Sequence, residues 1–175
     1  MAREAVVVDE AQLLRFSGAG PRYTSYPTVP EWSDDFGPEQ ARQALERAAR
    51  FSHEPLCIYV HLPFCARLCL YCGCTVQITR REDLVERYLE ALDVEVGRVA
   101  ELLGGRRKVA QLHWGGGTPT HLTPEQIVRV HDMVARRFAF EPDAEKSIEV
   151  HPHVTTFEQV DTLAGLGFDR ISMGI

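Results

Sequence analysis

From residue 56 onward the apolar positions switch between two periods. Leu56–Leu62 is β-rich and mostly apolar, the pattern of a strand buried on both faces. Glu82–Leu103 places Leu84, Val85, Tyr88, Leu89, Leu92, Val96 and Val99 on one helical stripe that ends at Gly104-Gly105. Residues 109–114 read as a second strand. Thr123-Pro124-Glu125-Gln126 then opens a helix whose stripe runs over 124–138, with an N-cap, a proline at the first position and a glutamine at the third. A third strand over 147–150, a third helix over 156–166 that ends at Gly167, and a fourth strand over 170–173 follow. The helical stripes read as packing faces. Such alternation predicts parallel pairing through right-handed crossovers, and in folds of that kind chemistry gathers at the carboxyl ends of the strands.

Residues 1–53 lack this alternation and read as a helical and loop lead-in. It holds a short apolar stretch over 11–16, a loop over 17–28, and a helix opening at Gly37-Pro38 with Ala41, Ala44, Leu45 and Ala48 on one side. The remainder, 54–175, stops at Ile175 on or just after the fourth strand. That leaves the last parallel strand without a covering helix and with a bare edge, an uncomfortable place for a complete domain to end, whether the fold is an open sheet or a barrel.

Composition narrows the function. Of 175 residues, 19 are Lys or Arg and 25 are Asp or Glu, a formal charge of −6 that argues against a general nucleic-acid binder. No window approaches the roughly 18 to 20 apolar residues of a membrane span. Acidic Glu4, Asp9 and Glu10 stand where a secretion signal would be basic, so the expected location is the cytoplasm.

Five cysteines are present, and Cys65, Cys69, Cys72 and Cys74 crowd into ten residues directly after the first strand. Thiols this close cannot all bridge without strain, and in the cytoplasm they stay reduced. The C-x3-C-x2-C spacing of Cys65, Cys69 and Cys72 lets one loop occupy three corners of a cubane iron–sulfur cluster and leaves the fourth iron open. Zinc sites more often pair two C-x2-C knuckles, and no second knuckle exists; zinc or a redox thiol cluster is the alternative. Cys74, two residues past Cys72, is awkward as a fourth ligand of the same cubane. Cys57, among apolar neighbours in the first strand, reads as a small buried hydrophobe.

Gly115-Gly116-Gly117-Thr118 follows the second strand. Three missing side chains expose backbone N–H and C=O groups to a small polar molecule, although a lone glycine run can also be a tight turn. No Gly-Lys-Ser/Thr follows, so it is not a phosphate loop. Glu149, between Ile148 and Val150, must lie at a surface or have a partner. His113, His121 and His131 read as structural.

The cysteine loop, with an aromatic before its third cysteine, resembles the radical S-adenosylmethionine (SAM) superfamily. More narrowly, Pro21-Arg-Tyr-Thr-Ser-Tyr-Pro-Thr28, Tyr59-Val-His-Leu-Pro-Phe-Cys65, Cys72-Gly-Cys74, His113-Trp-Gly-Gly-Gly-Thr-Pro-Thr120 and Ile148-Glu-Val150 resemble the oxygen-independent coproporphyrinogen III oxidase family. The resemblance implies an α/β fold, with 54–175 as the first half of a TIM-like (β/α)6 barrel of about four parallel strands behind the N-terminal segment, a piece expected to be poorly soluble or unable to turn over by itself. It implies a [4Fe-4S] cluster and two SAM molecules, with Tyr59, Gly116 and Glu149 at the first and Tyr71, Gly117 and Thr118 at the second. It implies the substrate coproporphyrinogen III, two of whose propionates become vinyl groups after hydrogen abstraction by a 5′-deoxyadenosyl radical, in haem synthesis. The electron donor is unspecified, and a monomer without nucleic-acid or membrane partners is expected. Arg22, Arg67, Arg80 and Arg81 are candidates for the substrate carboxylates, against solvated surface charge. Cys74 is a possible hydrogen donor or structural thiol. The relatives continue Glu-Val with Asp-Pro, whereas this chain has His151-Pro152-His153. A haem-binding or haem-delivery relative is the second reading, and an inactive fragment the third.

Overall fold

The computed structural model describes residues 9–17, 31–33, 35–70 and 72–174. The contacts divide the chain between Gly37 and Pro38 into two compact units. On the first side the described residues include one short helix, α1 (Glu10–Phe16).

The second unit runs α2 (Pro38–Ala48), β1 (Leu56–Leu62), β2 (Phe64–Cys65), β3 (Gln77–Ile78), α3 (Glu82–Leu103), β4 (Lys108–Gly116), a 3-10 turn (Pro119–His121), α4 (Pro124–Ala135), β5 (Ala139–Val150), α5 (Phe157–Gly165) and β6 (Arg170–Met173). Strands β1, β4, β5 and β6 form one sheet in that order, every pair parallel, as the alternation of periods predicts. The sequence reading starts this portion at residue 54, but α2 belongs to it as well. Leu45 and Ala48 pack on the core, and the Arg106 guanidinium donates to the carbonyls of Ala48 and Glu54, both at 3.0 Å.

One face of the sheet is dry. Val60, Leu62, Leu112, Trp114 and Ile148 are buried against Val85, Leu89 and Leu92 of α3, Ile127, Val130, Met133 and Val134 of α4, and Leu163 of α5. The other face is polar. Register brings Tyr59 beside His113, His113 beside Ser147, and Ser147 beside Arg170, with Glu149 beside Ser172 one step toward the strands' carboxyl ends. Three sequence expectations change accordingly. β1 is covered on one face only, with Tyr59 55% exposed. Cys57 shares that open face; it is exposed and its thiol donates to Gln111 Oε1 at 3.3 Å, so it is no buried hydrophobe. β5 begins at Ala139, well before residue 147, because its pairing with β4 is irregular between Val109 and Gln111 and admits the polar run Glu141 to Glu145.

Capping fixes two helix starts. Thr123 and Gln126 form the reciprocal box at α4, with Gln126 N donating to Thr123 Oγ1 at 3.3 Å and Thr123 N to Gln126 Oε1 at 3.0 Å. Thr156 and Gln159 repeat it at α5. Gln159 is buried, and its amide also donates to the carbonyls of Thr120 at 2.8 Å and Leu122 at 2.7 Å, tying α5 to the turn that follows β4.

His131 is structural, as its sequence setting suggests. It stacks on Phe140 with centroids 5.8 Å apart, and its Nε2 accepts from Lys146 Nζ at 3.0 Å. Burial first, and the Lys146 cation second, hold its pKa below the ordinary 6.5; burial alone does the same to His121. Below pH 6.5 the unfolded chain therefore takes up protons that the folded chain refuses. Stability is expected to be full above that pH and to fall as pH drops toward the folded values, by at most about 1.4 kcal/mol per pH unit for each histidine. Urea titrations at pH 7.5 and 5.5 test this, and His131→Leu should flatten the slope while leaving the share of His121.

Candidate functional site

The carboxyl ends of β1, β4 and β5 meet at one rim. β1 continues past Pro63 into β2, and the two-residue ribbon of β2 with β3 closes the base of the cysteine loop: Gln77 N donates to Pro63 O at 2.7 Å and Thr79 N to Cys65 O at 3.0 Å. Within the loop Cys72 N donates to Cys69 O at 3.1 Å, turning the chain between those two cysteines. No disulfide forms. Cys65, Cys69, Cys72 and Cys74 all line one cavity of about 370 Å³, together with Gly116, Gly117, Thr118, Glu149, His151 and Ser172. Seven of the nine sequence candidates for metal and cofactor, together with Cys74, thus face one space. Tyr59 stands on β1 just below, and Tyr71 and the motif Pro21 to Thr28 lie outside the described residues.

The glycines are there because side chains would not fit. A Cβ on Gly115 would lie 2.9 Å from the Glu149 carboxyl carbon. Gly116 has φ +114°, and a Cβ there would lie 2.5 Å from the His61 ring. A Cβ on Gly117 would meet the Pro63 carbonyl at 2.6 Å. Gly117 N donates to Leu62 O at 2.9 Å and Thr118 N to Phe64 O at 2.8 Å, so the glycine turn is stitched to the chain entering the cysteine loop. Thr118 Oγ1 lies 3.4 Å from Cys65 Sγ.

Glu149 accepts from Gly116 N at 3.2 Å and faces His113 Nε2 at 3.6 Å. Tyr59 OH meets His61 Nδ1 at 3.0 Å, and His61 Nε2 lies 3.0 Å from Thr75 O, which ties the exit of the cysteine loop to β1; Tyr88 OH donates to the His61 carbonyl. Packing around its sulfur and then the neighbouring Cys72 push the Cys74 thiol up, and burial followed by Glu149 does the same to the Tyr59 phenol. Both groups are therefore protonated at neutral pH.

The model for the radical SAM superfamily matches residues 59–175. The chain belongs to the radical SAM superfamily.

Several of its relatives carry one name. An oxygen-independent coproporphyrinogen III oxidase of Escherichia coli (strain K12) is 46% identical over the whole chain, which spans 37% of that protein. One of Mannheimia haemolytica is 43% identical over 84% of the chain and 98% of the relative. The solved coproporphyrinogen III oxidase of E. coli, described as a radical SAM enzyme, superposes with a TM-score of 0.81 at 44% identity, over 95% of this chain and 36% of that one. The chain therefore spans a little over a third of the length of the E. coli relatives.

The site has what an iron–sulfur cluster of this superfamily requires: three unbridged thiols on one loop, opening into a cavity walled by the glycine turn. Other sequence candidates separate here. Arg67 lines a neighbouring cavity of about 820 Å³ with His151 and His153, whereas Arg81 is committed to Asp83, with contacts of 3.1 and 2.6 Å. Arg80 is exposed, and Arg22 lies outside the described residues. His113, read from sequence as structural, sits beside Glu149. Among the described residues no helix is long and apolar enough to cross a membrane.

Proposed function

We propose that this chain is the cofactor-binding portion of an oxygen-independent coproporphyrinogen III oxidase. The observation that carries the reading is the single cavity shared by Cys65, Cys69, Cys72, Gly116, Gly117, Thr118 and Glu149. In it Cys65, Cys69 and Cys72 hold a [4Fe-4S] cluster. Tyr59, Gly116 and Glu149 contact the SAM on its open iron, and Tyr71, Gly117 and Thr118 a second SAM. When bound, these groups supply an electron and a hydrogen-abstracting radical.

The chain's own part is to bind, orient and exclude water. The ribbon of β2 and β3 fixes the loop's base, and the glycine turn brings backbone groups to van der Waals distance of a ligand, which no other residue type allows at φ +114°. Glu149 offers the lone pairs that Gly116 and His113 leave unused. Cys74, kept as a thiol, stands by the reacting centre as a hydrogen donor or a geometric support. In each turnover a propionate loses one hydrogen atom, carbon dioxide and one electron to become a vinyl group, and two such events convert coproporphyrinogen III to protoporphyrinogen IX. The protein is read as a cytoplasmic monomer served by a separate electron donor, with residues 54–175 as the first half of its barrel; it has no role with nucleic acid or membranes.

What favours the oxidase over a haem carrier is Cys72-Gly-Cys74 at this cavity together with the name carried by the E. coli and M. haemolytica relatives. Anaerobic reconstitution decides the matter. About four irons per chain, a reduced-cluster paramagnetic signal, SAM cleavage and a fluorescent porphyrin product after oxidation are expected of the full-length protein. Fewer than about three irons overturns the cluster assignment. A cluster that cleaves SAM without yielding porphyrin favours the carrier.

A further inference from the structure

Glu149 is a half-exposed carboxylate on a flexible two-methylene side chain, and its place over the glycine turn is set from outside its own strand. Two groups hold it. Gly116 N donates to Oε2 at 3.2 Å, and His113 Nε2 lies 3.6 Å from Oε1. Gly115 makes the room, since any Cβ there would press on the carboxyl group. The His113 ring is itself fixed from two sides: Nδ1 pairs with Ser147 Oγ at 2.7 Å, and the Tyr59 ring stacks on it at 5.8 Å with planes 21° apart. These residues come from three strands, and only the β1, β4, β5 register brings them together.

Proton accounting gives the ring a direction. Ser147 Oγ has one proton and two neighbours, the Leu112 carbonyl at 3.4 Å and His113 Nδ1. If the hydroxyl proton goes to Nδ1, a neutral His113 carries its own proton on Nε2, toward Glu149. The contact with Nδ1, at 2.7 Å, is much shorter than the one with the carbonyl, so this arrangement is favoured and an Nε2–H points at Glu149. At 3.6 Å this is a charge-supported contact slightly longer than a hydrogen bond.

We propose that His113 is a positioning residue that aims the Glu149 carboxylate at SAM, with Ser147 locking the imidazole that does so. The inference rests on Glu149 contacting SAM. It adds that the contact depends on a histidine that itself need not touch the ligand, and that His113 acts on SAM binding rather than on the radical step.

The test is SAM affinity by anaerobic calorimetry on the cluster-loaded, full-length protein, with iron content as the control for folding and loading. The amide nitrogen of an asparagine reaches the position of Nδ1, and that of a glutamine the position of Nε2. His113→Asn should therefore keep the Ser147 bond, lose the donor facing Glu149, and weaken SAM about tenfold, the low end for a hydrogen bond to a charged group, as suits a contact slightly longer than one. His113→Gln should restore affinity to within about threefold, and Ser147→Ala should fall between the two, as partial loss of such a bond implies. SAM cleavage at saturating SAM should change little, so KM moves and kcat does not. Glu149→Gln separates the two levels: if it weakens SAM while both His113 variants bind like the parent, the positioning role is overturned. If Glu149→Gln itself leaves SAM affinity unchanged, the assignment of Glu149 to SAM fails and the inference falls with it. Equal losses in His113→Asn and His113→Gln at full iron content would also overturn it, since a lost ring would then matter more than a lost donor.

Discussion

Gly116→Ala is expected to cost on the order of 4 kcal/mol and to prevent stable loading of the cysteine loop. Two penalties add. A φ of +114° is open to glycine and strained for any L side chain. The new methyl would also stand 2.5 Å from His61 Cε1 and 2.7 Å from Nδ1. The ring cannot swing aside cheaply, because Tyr59 OH holds Nδ1 and the Thr75 carbonyl holds Nε2. Relief by ring movement would free Thr75, and with it the exit of the cysteine loop. Since a typical domain has only about 5–15 kcal/mol of stability, a loss of this size moves the urea midpoint far down. Gly105→Ala is the matched control: a Cβ there meets nothing within 4 Å, and it should stay within about 0.5 kcal/mol of the parent. Adding His61→Gly to Gly116→Ala removes the clash but not the backbone strain, so it should return only part of the loss. Full recovery would show that φ is relaxed and that the clash alone matters.

How much of this was legible beforehand depended on how local each signal is. The span Glu82–Leu103 and the α4 cap follow from periodicity and from Thr, Pro and Gln at fixed offsets, all within one element. The second capping box, Thr156 with Gln159, carries the same T-x-x-Q signal and was there to be read. The cysteine spacing identified the loop because ligand geometry constrains neighbours in sequence. What the sequence hid is set by register. Cys57, Tyr59 and His61 alternate with Ile58, Val60 and Leu62, yet the composition of the strand as a whole suggests burial on both faces; only the sheet shows that the odd positions face an open, polar side. His113 and Glu149 lie 36 positions apart, and their approach follows from the pairing of β4 with β5, which slips between Val109 and Gln111. No local pattern encodes that slip. Gln159 was likewise silent as a crosslink, because its two acceptors are backbone carbonyls on a turn 37 and 39 residues away.

The four clustered thiols should divide three against one. Cys69→Ala is expected to reduce iron from about four per chain to below about one and to abolish SAM cleavage, because a cubane site-differentiated by three thiolates loses a third of its protein ligands and a second iron opens to solvent. Cys74→Ala should keep the iron. The reasons lie in how each sulfur is held. Cys65 leaves β2 inside a hydrogen-bonded ribbon and meets Thr118 Oγ1, and Cys69 and Cys72 are joined across one turn by a backbone hydrogen bond, so these three are presented by one fixed scaffold. Cys74 follows the turn, is exposed, and stands two residues past Cys72, awkward as a fourth ligand of the same cubane. Iron and sulfide analysis with the electron paramagnetic spectrum of the reduced protein distinguishes the two outcomes. Loss of iron in Cys74→Ala equal to that in Cys69→Ala would make Cys74 a fourth ligand, close the open iron, and leave SAM no place on the cluster. Retained iron with slowed porphyrin formation would instead put the Cys74 thiol at the substrate side of the cavity, downstream of SAM cleavage.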